Sequence, residues 1–401
     1  MKFAIIKERK NPPDRRVVLT PKACKKLVEN FPEMEIVIET SDIRTFNDRE
    51  YSDLNLDVSS DISDAEVLMG VKEVPIDALI PNKKYFFFSH TIKEQPYNRD
   101  LLKAVLDKNI ELYDHEVITD SKEIRLVAFG RYAGIVGAYN AIRTFGIKNK
   151  SFNLPKAQEL SDQQSLIDEL KKVKLPNIKI VLSGKGRVGN GSKEILDGMG
   201  LKEVGPDAYL KQSFDEPVYC QIDVLDYNKR IDGRVIDMYD FFNNPEAYES
   251  DFFRFAEVSD VYIAGHFYAS GAPYIFTRDE AKAKNFKIKV VADISCDIDG
   301  PVASTLRAST IADPIYGYDP VLEKEVDYSE PNAIAVMAVD NLPNELPRDA
   351  SQGFSESFVT HVIPAFFNED KDGILERARM TQHGKLTPRY QYLQDFVDGK
   401  E

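Results

Sequence analysis

The chain is 401 residues long, 43% hydrophobic and 29% charged, which suits two or three soluble domains of ~100–200 residues each. Its 52 Lys and Arg face 66 Asp and Glu, a formal charge of −14, which argues against a general nucleic-acid surface and makes any anionic ligand depend on a local cationic pocket. No apolar run approaches the ~18 residues of a membrane span.

The opening MKFAIIKERK enters a strand-like pattern at once, without a signal-peptide layout. Cys24, Cys220 and Cys296 form no spaced pair, so neither a metal site nor a disulfide framework is expected. A soluble cytoplasmic protein follows as the expectation.

In chain order, residues 2–8 read as a strand and Lys22–Asn30 as a helix opened by Thr20-Pro21. Strand-like runs follow at 35–40, 66–72, 85–90, 110–115 and 124–130, with a helix-like piece at 101–109. Near-continuous apolar strands separated by helices predict a parallel sheet covered on both faces. Small and apolar residues at helical spacing from Gly134 to Gly146 predict a buried helix linking two domains. A loop over 147–162 ends at Ser161, where Gln164 completes a capping-box pattern for a helix carrying Leu166, Ile167, Leu170 and Val173. A second alternating unit begins at 178–184, with further strands expected at 234–238, 261–265, 289–294 and 333–340. The stretch from about 205 to 258 carries no clear pattern, and residues 350–367 read as an amphipathic helix.

The sharpest local signal is SGKGRVGNG. Gly184, Gly186 and Gly189 fit G-x-G-x-x-G directly after a strand and before a helix. The first glycine permits a tight turn, the second lets backbone approach a pyrophosphate, and the third allows close helix–strand packing. An acid for the ribose is expected ~20 residues on. Glu203 and Asp207 are in range, but Gly205-Pro206 interrupts the strand that should carry it. The choice between NAD and NADP stays open.

Four segments of the first third place ionisable residues at strand ends, where open α/β sheets bind ligands. They are Lys7–Pro21, Gly70–Pro75, Phe88–Lys93 and Tyr113–Ile118, and Arg125 opens the strand expected next. Each residue also has an ordinary reading. A Lys after a strand is most often solvated, a lone His is most often structural, and Arg16 and Lys93 could be surface charges. His115 and His266 carry no stronger local signal, and His361 falls on a helix face. Convergence lifts the group: several cations and a His at one edge, in a chain with a nucleotide turn, suit a small polycarboxylate.

Taken together, KERKNPPDRRVVLTP, GVKEVP, FFFSHTIK, YDHEVI, RLVAFGRYAG and VDNLPNELPRDAS resemble the alanine dehydrogenase/saccharopine dehydrogenase superfamily. The likeness continues through HFYASGAPY, VVADISCDIDGP and GKLTPRYQYL and is greatest to the lysine–ketoglutarate reductase type, that is, L-lysine-forming saccharopine dehydrogenase. The resemblance implies an α/β protein of two Rossmann-like domains with parallel sheets and a cleft between them. Residues 1–130 plus 341–401 would form the substrate domain and 131–340 the dinucleotide-binding domain.

It further implies Lys72 and His90 as an acid–base pair, Arg16, Lys93 and Arg125 as substrate-carboxylate residues, and Glu73 and Glu116 as site-tuning acids. Gly184, Gly186, Arg187, Val188 and Gly189 would hold NAD or NADP, with Asp340 near the nicotinamide. Gly205 departs from the family pattern, which leaves cofactor choice undecided. The sequence ends shortly after YQYLQDF, so the second catalytic half of the bifunctional relatives is expected to be absent.

The implied reaction interconverts saccharopine with lysine plus 2-oxoglutarate by hydride transfer and imine hydrolysis. It needs a neutral amine and two proton-transfer groups, which a Lys–His pair can supply. Partial burial, with Arg16 and Lys93 nearby, is expected to lower the Lys72 pKa, opposed by Glu73 and Glu116. The alternatives are an alanine dehydrogenase-like enzyme with another amino-acid substrate and a non-catalytic nucleotide-binding protein. Small-molecule partners and a small homo-oligomer are expected, with no nucleic acid and no membrane.

Overall fold

The computed structural model describes residues 1–269 and 271–400; Ser270, within HFYASGAPY, lies outside the described residues. The chain divides into two compact units: Met1–Phe129 with the C-terminal segment from Pro347, and Gly130–Leu346. No helix among the described residues is long and apolar enough to cross a membrane.

The first unit alternates β1 (Lys2–Ile5), α1 (Pro21–Asn30), β2 (Glu35–Glu39), the short α2 (Asp48–Ser52), β3 (Asp57–Ser59), β4 (Val67–Lys72), β5 (Lys84–Phe88), α3 (Arg99–Asp107) and β6 (Glu111–Asp114). The six strands pair in parallel in the order β3-β2-β1-β4-β5-β6. Apart from the edge strand β3, their side chains are mostly buried on both faces, as the continuous apolar runs require. α1 starts where Thr20 Oγ1 accepts the Ala23 N–H at 3.3 Å and Pro21 fixes the first turn. Chain direction across the sheet reverses between β1 and β4, so the loops after these two strands flank a topological switch point. The returning helix Pro347–Ser357 belongs to this unit. Its Ser351 and Ser355 hydroxyls accept the N–H groups of Val17 and Thr20, at 2.9 and 3.1 Å, and so pin the loop after β1.

The second unit opens with α4 (Gly130–Lys148), of whose 19 residues 13 are buried, as expected of a helix apolar on every side. Then come α5 (Gln163–Leu170), β7 (Lys179–Ser183), α6 (Arg187–Met199), β8 (Lys202–Glu203), α7 (Pro206–Lys211), β9 (Val218–Ile222) and α8 (Val224–Tyr227). The hairpin β10 (Asn228–Arg230) and β11 (Tyr248–Ser250) encloses α9 (Met238–Asn243). The remaining strands are β12 (Val261–Ala264), β13 (Val290–Asp293), β14 (Ile315–Asp319), β15 (Lys324–Val326) and β16 (Ile334–Met337). Eight strands form one sheet in the order β15-β14-β16-β13-β12-β7-β9-β8. Both units are therefore Rossmann-like α/β layers, although the second sheet is mixed: β14 runs antiparallel to β15 and β16.

Several sequence expectations are corrected. Residues 124–130 form no strand; Arg125 makes one isolated bridge to Thr119, and Gly130 already begins α4. The run 234–238 is likewise no strand: Val235 is 93% exposed and Asp237 caps α9. Asp162, not Ser161, caps α5 by accepting the Ser165 N–H at 2.8 Å, because the carboxylate one residue nearer reaches the first turn.

α4 packs along α6 at glycine positions. A Cβ on Gly134 would lie 1.9 Å from the Val188 carbonyl oxygen, a backbone atom that cannot move aside. Gly134→Ala is therefore expected to destabilise this unit by about 1–3 kcal/mol, read as a lower urea midpoint. An unchanged midpoint would show that the two helices repack freely.

Candidate active site

Lys72 ends β4 and lies in register with Phe88 of β5, and His90 follows two residues beyond Phe88. The two residues thus stand at the C-terminal ends of neighbouring strands, beside the switch point. Arg16 enters from the loop after β1. It is 3% exposed and makes a paired contact with Asp14, Nε to Oδ1 at 3.0 Å and Nη2 to Oδ2 at 2.6 Å. Its guanidinium also lies 4.2 Å from the Phe129 ring centre, and Phe129 stacks on Phe354 at 4.5 Å. Lys10 pairs with Glu73 at 2.6 Å.

Burial lowers the Lys72 pKa, Arg16 and Lys10 lower it further, and Asp14 and Glu73 oppose them. The sequence reading expected Lys93 in this role. Lys93 instead faces Glu116, because the left-handed backbone of His90 (φ 56°) turns the chain sharply off β5. Asp14 was missed, although its position two residues before Arg16 in KERKNPPDRR is visible in the sequence.

Around His90 the residues form a second charged group. His90 Nδ1 lies 3.3 Å from Glu116 Oε1, and Lys93 Nζ lies 3.5 Å from the same oxygen. Arg125 donates from Nε to the Val127 carbonyl at 2.8 Å and sits 5.3 Å from the Phe88 ring centre. Burial pushes the Glu116 carboxyl up, but the hydrogen bond from His90 and the charges of Lys93, His90 and Arg125 outweigh it and hold it near 2. Oε2 of Glu73 and Oε2 of Glu116 are buried without a hydrogen-bond partner, leaving each carboxylate one open acceptor. His115 is different: its ring is enclosed by Phe88, Phe354 and Phe358, and burial lowers its pKa to about 3.

In the second unit the turn between β7 and α6 holds the three motif glycines. Gly184 has φ +94°, where a side chain would be strained, and a Cβ on Gly189 would fall 2.0 Å from the Gly184 carbonyl oxygen. A Cβ on Gly186 would meet nothing within 4 Å. Gly186 is also the N-cap of α6 and gives its first turn no side-chain acceptor. Open space above uncapped helix N–H groups fits the pyrophosphate of a dinucleotide. Arg187 is exposed, Val188 is half-buried with its carbonyl against α4, and Asp340 is exposed just beyond β16.

The ribose acid looked for at Glu203 or Asp207 does not lie by the turn. β8 is the edge strand and β9 is the neighbour of β7. Glu203 pairs with Lys193 at 2.6 Å, and Asp207 is on the surface with Lys211. The residue level with Gly184 on the adjoining strand end is Asp223, since Ser183 pairs with Ile222 and the Gly184 N–H donates to the Ile222 carbonyl at 2.8 Å. Only strand order could reveal this.

A carboxyl held near 2 when folded and near 4.5 in its ordinary state stabilises the fold above pH ~4.5, and that contribution is lost as pH falls toward 2. It amounts to about 3 kcal/mol at neutral pH. Glu116→Gln is expected to lower the urea midpoint at pH 7, with the gap to the unsubstituted protein closing as pH falls from 4.5 to 2.5. A gap independent of pH would contradict this electrostatic account.

The sequence profile of the alanine dehydrogenase/PNT N-terminal domain matches residues 4–136. The alpha-aminoadipic semialdehyde synthase of Arabidopsis thaliana is 26% identical over 97% of this chain and 41% of its own length. The mitochondrial enzyme of that name from Mus musculus is 26% identical over 100% of this chain and 48% of its length. The chain thus spans less than half of these relatives. It covers 89% of the Yarrowia lipolytica saccharopine dehydrogenase [NAD(+), L-lysine-forming], at 25% identity over 88% of this chain. An L-alanine dehydrogenase structure shares the fold with a TM-score of 0.65 at 16% identity, covering 100% of both chains. By these matches the chain is similar to alpha-aminoadipic semialdehyde synthases and L-lysine-forming saccharopine dehydrogenases over most of its length, resembles the alanine dehydrogenase/PNT N-terminal domain over residues 4–136, and shares the fold of an alanine dehydrogenase.

Proposed function

We propose that the protein interconverts saccharopine with L-lysine plus 2-oxoglutarate, using a nicotinamide dinucleotide and a Lys72/His90 acid–base pair. The observation that carries this reading is the placement of Lys72 and His90 on adjacent strand ends, each within its own set of charges. The dinucleotide would be held by Gly184, Gly186 and Gly189 with the first turn of α6, including Arg187 and Val188, and with Asp340 toward its ring end; when bound, it supplies the hydride acceptor or donor.

The remaining chemistry belongs to the chain. A buried amine with a lowered pKa, Lys72, can take a proton from the substrate nitrogen and so keep that nitrogen uncharged. His90, hydrogen-bonded to Glu116, suits proton exchange with the water consumed or released at the imine carbon. Arg16, Lys93 and Arg125 offer cations to a substrate with several carboxylates. The carboxylates of Glu73 and Glu116 set negative charge beside these cations and favour the amine end of the substrate. Asp223 would meet the adenosine ribose and repel a 2′-phosphate. Asp226, one helical turn on, adds a second negative charge that Lys185 offsets at 3.7 Å.

Lys72→Met and His90→Gln should each lower turnover by about 10²–10⁴-fold with dinucleotide affinity unchanged, in a spectrophotometric assay of lysine plus 2-oxoglutarate. Wild-type rates in both variants would remove the mechanism. Activity with pyruvate and ammonia alone would favour the alanine dehydrogenase-like alternative. Arg16→Lys keeps a charge beside buried Asp14 but loses the paired geometry; it should raise KM for 2-oxoglutarate more than it lowers kcat. By fluorescence titration, NADH should bind at least about tenfold tighter than NADPH, and Asp223→Ser should narrow that ratio. Equal affinities in the unsubstituted protein would reject the role of Asp223.

A further inference from the structure

β4 is irregular at its functional end. Its pairing with β5 shifts between Met69 and Lys72, and an irregularity of this kind takes backbone groups out of the ladder and re-aims the side chain beyond it. Two side chains from outside the strand take up the backbone there. Glu8, only 8% exposed, accepts the Val71 N–H on Oε1 at 2.6 Å and the Lys72 N–H on Oε2 at 2.8 Å. On the other flank His115 Nε2 lies 2.9 Å from the Gly70 carbonyl and donates to it. The space between is full: a Cβ on Gly70 would approach Ile6 Cδ1 to 2.8 Å and Glu8 Oε1 to 3.4 Å. The residues 70–72 are therefore gripped from two sides by buried polar groups, at the point where the chain delivers Lys72.

We propose that Glu8 is a positioning residue that clamps this irregular strand end and so keeps the Lys72 amine inside the charged cluster of Arg16, Asp14, Lys10 and Glu73. The importance of the clamp for turnover rests on the acid–base role given to Lys72 above; the clamp itself does not. Glu8 is faced by Asp14 and Arg16 from the loop after β1 and by the Val71 and Lys72 backbone of β4. Lys72 in turn is faced by Arg16, Asp14 and Lys10 from that loop and by neighbouring Glu73. Because burial is the largest cause of the lowered Lys72 titration, loosening the clamp should bring the amine toward water and raise its pKa.

Glu8→Gln replaces one of the two acceptor oxygens by a donor and forces one backbone N–H to lose its partner. The direct readout is the pH dependence of Lys72 acetylation by trace acetic anhydride, quantified by mass spectrometry in the full chain with Lys93 as internal reference. The expected result is a rise of about one unit or more in the Lys72 midpoint, with Lys93 unmoved and turnover at pH 7 down about tenfold. Gly70→Ala, whose Cβ would collide with Ile6 at 2.8 Å and so push the gripped strand end away from its packing, should move Lys72 in the same direction and serves if Glu8→Gln does not fold. An unchanged Lys72 midpoint in a folded variant would overturn the clamp, whatever happens to catalysis. A raised midpoint together with full activity in Lys72→Met would uphold the clamp and overturn the proposed acid–base role instead.

Discussion

Arg16 and Lys72 are cations held at the end of an apolar parallel sheet, and the architecture of the first unit answers that constraint. A cation removed from water costs several kcal/mol unless it is paired and hydrogen-bonded. Asp14 meets Arg16 in a two-bond contact, Phe129 lies against the guanidinium, and Phe354 backs Phe129. The helix carrying Phe354 also pins the loop through Ser351 and Ser355. One distant segment thus fixes the loop that carries the charge. Among the described residues no ion pair of this kind holds Lys72, and burial next to Arg16 leaves its proton loosely held. A rigid ion pair beside a destabilised ammonium keeps one charge permanent and lets the other titrate.

The His90 group solves the opposite problem. Glu116 is mostly buried, yet its hydrogen bond to His90 and the charges of Lys93 and Arg125 keep it ionised. A fixed anion beside an imidazole orients the ring through Nδ1. In the second unit, geometry replaces charge. Gly134, Gly184 and Gly189 bring backbones so close that a methyl group would collide with a carbonyl oxygen, whereas Gly186 leaves the space above the helix start open. These glycines do different jobs: most permit contact within the protein, and one keeps room outside it.

Much of this was legible in the chain. The parallel first sheet follows from its apolar runs, α4 from small residues at helical spacing, and the turn from its glycines. The failures share a cause. Residues 124–130 and 234–238 are apolar enough for strands, but a strand exists only where a neighbouring edge accepts its hydrogen bonds, and beyond the single Thr119–Arg125 bridge neither run pairs with one. Ser161 lost its cap to Asp162 by one residue, a difference of local reach that pattern alone does not resolve.

By itself the sequence determined which chemical groups are present and, for Lys72 and His90, which strand end carries them, because hydrophobic periodicity and turn residues act over a few positions along the chain. Tertiary structure decided their partners: Asp14 on Arg16, Glu116 between His90 and Lys93, Glu8 on the Lys72 backbone, and Asp223 rather than Glu203 level with Gly184. Those choices depend on strand order and on a strand irregularity, and both are set by the packing of residues far apart in sequence.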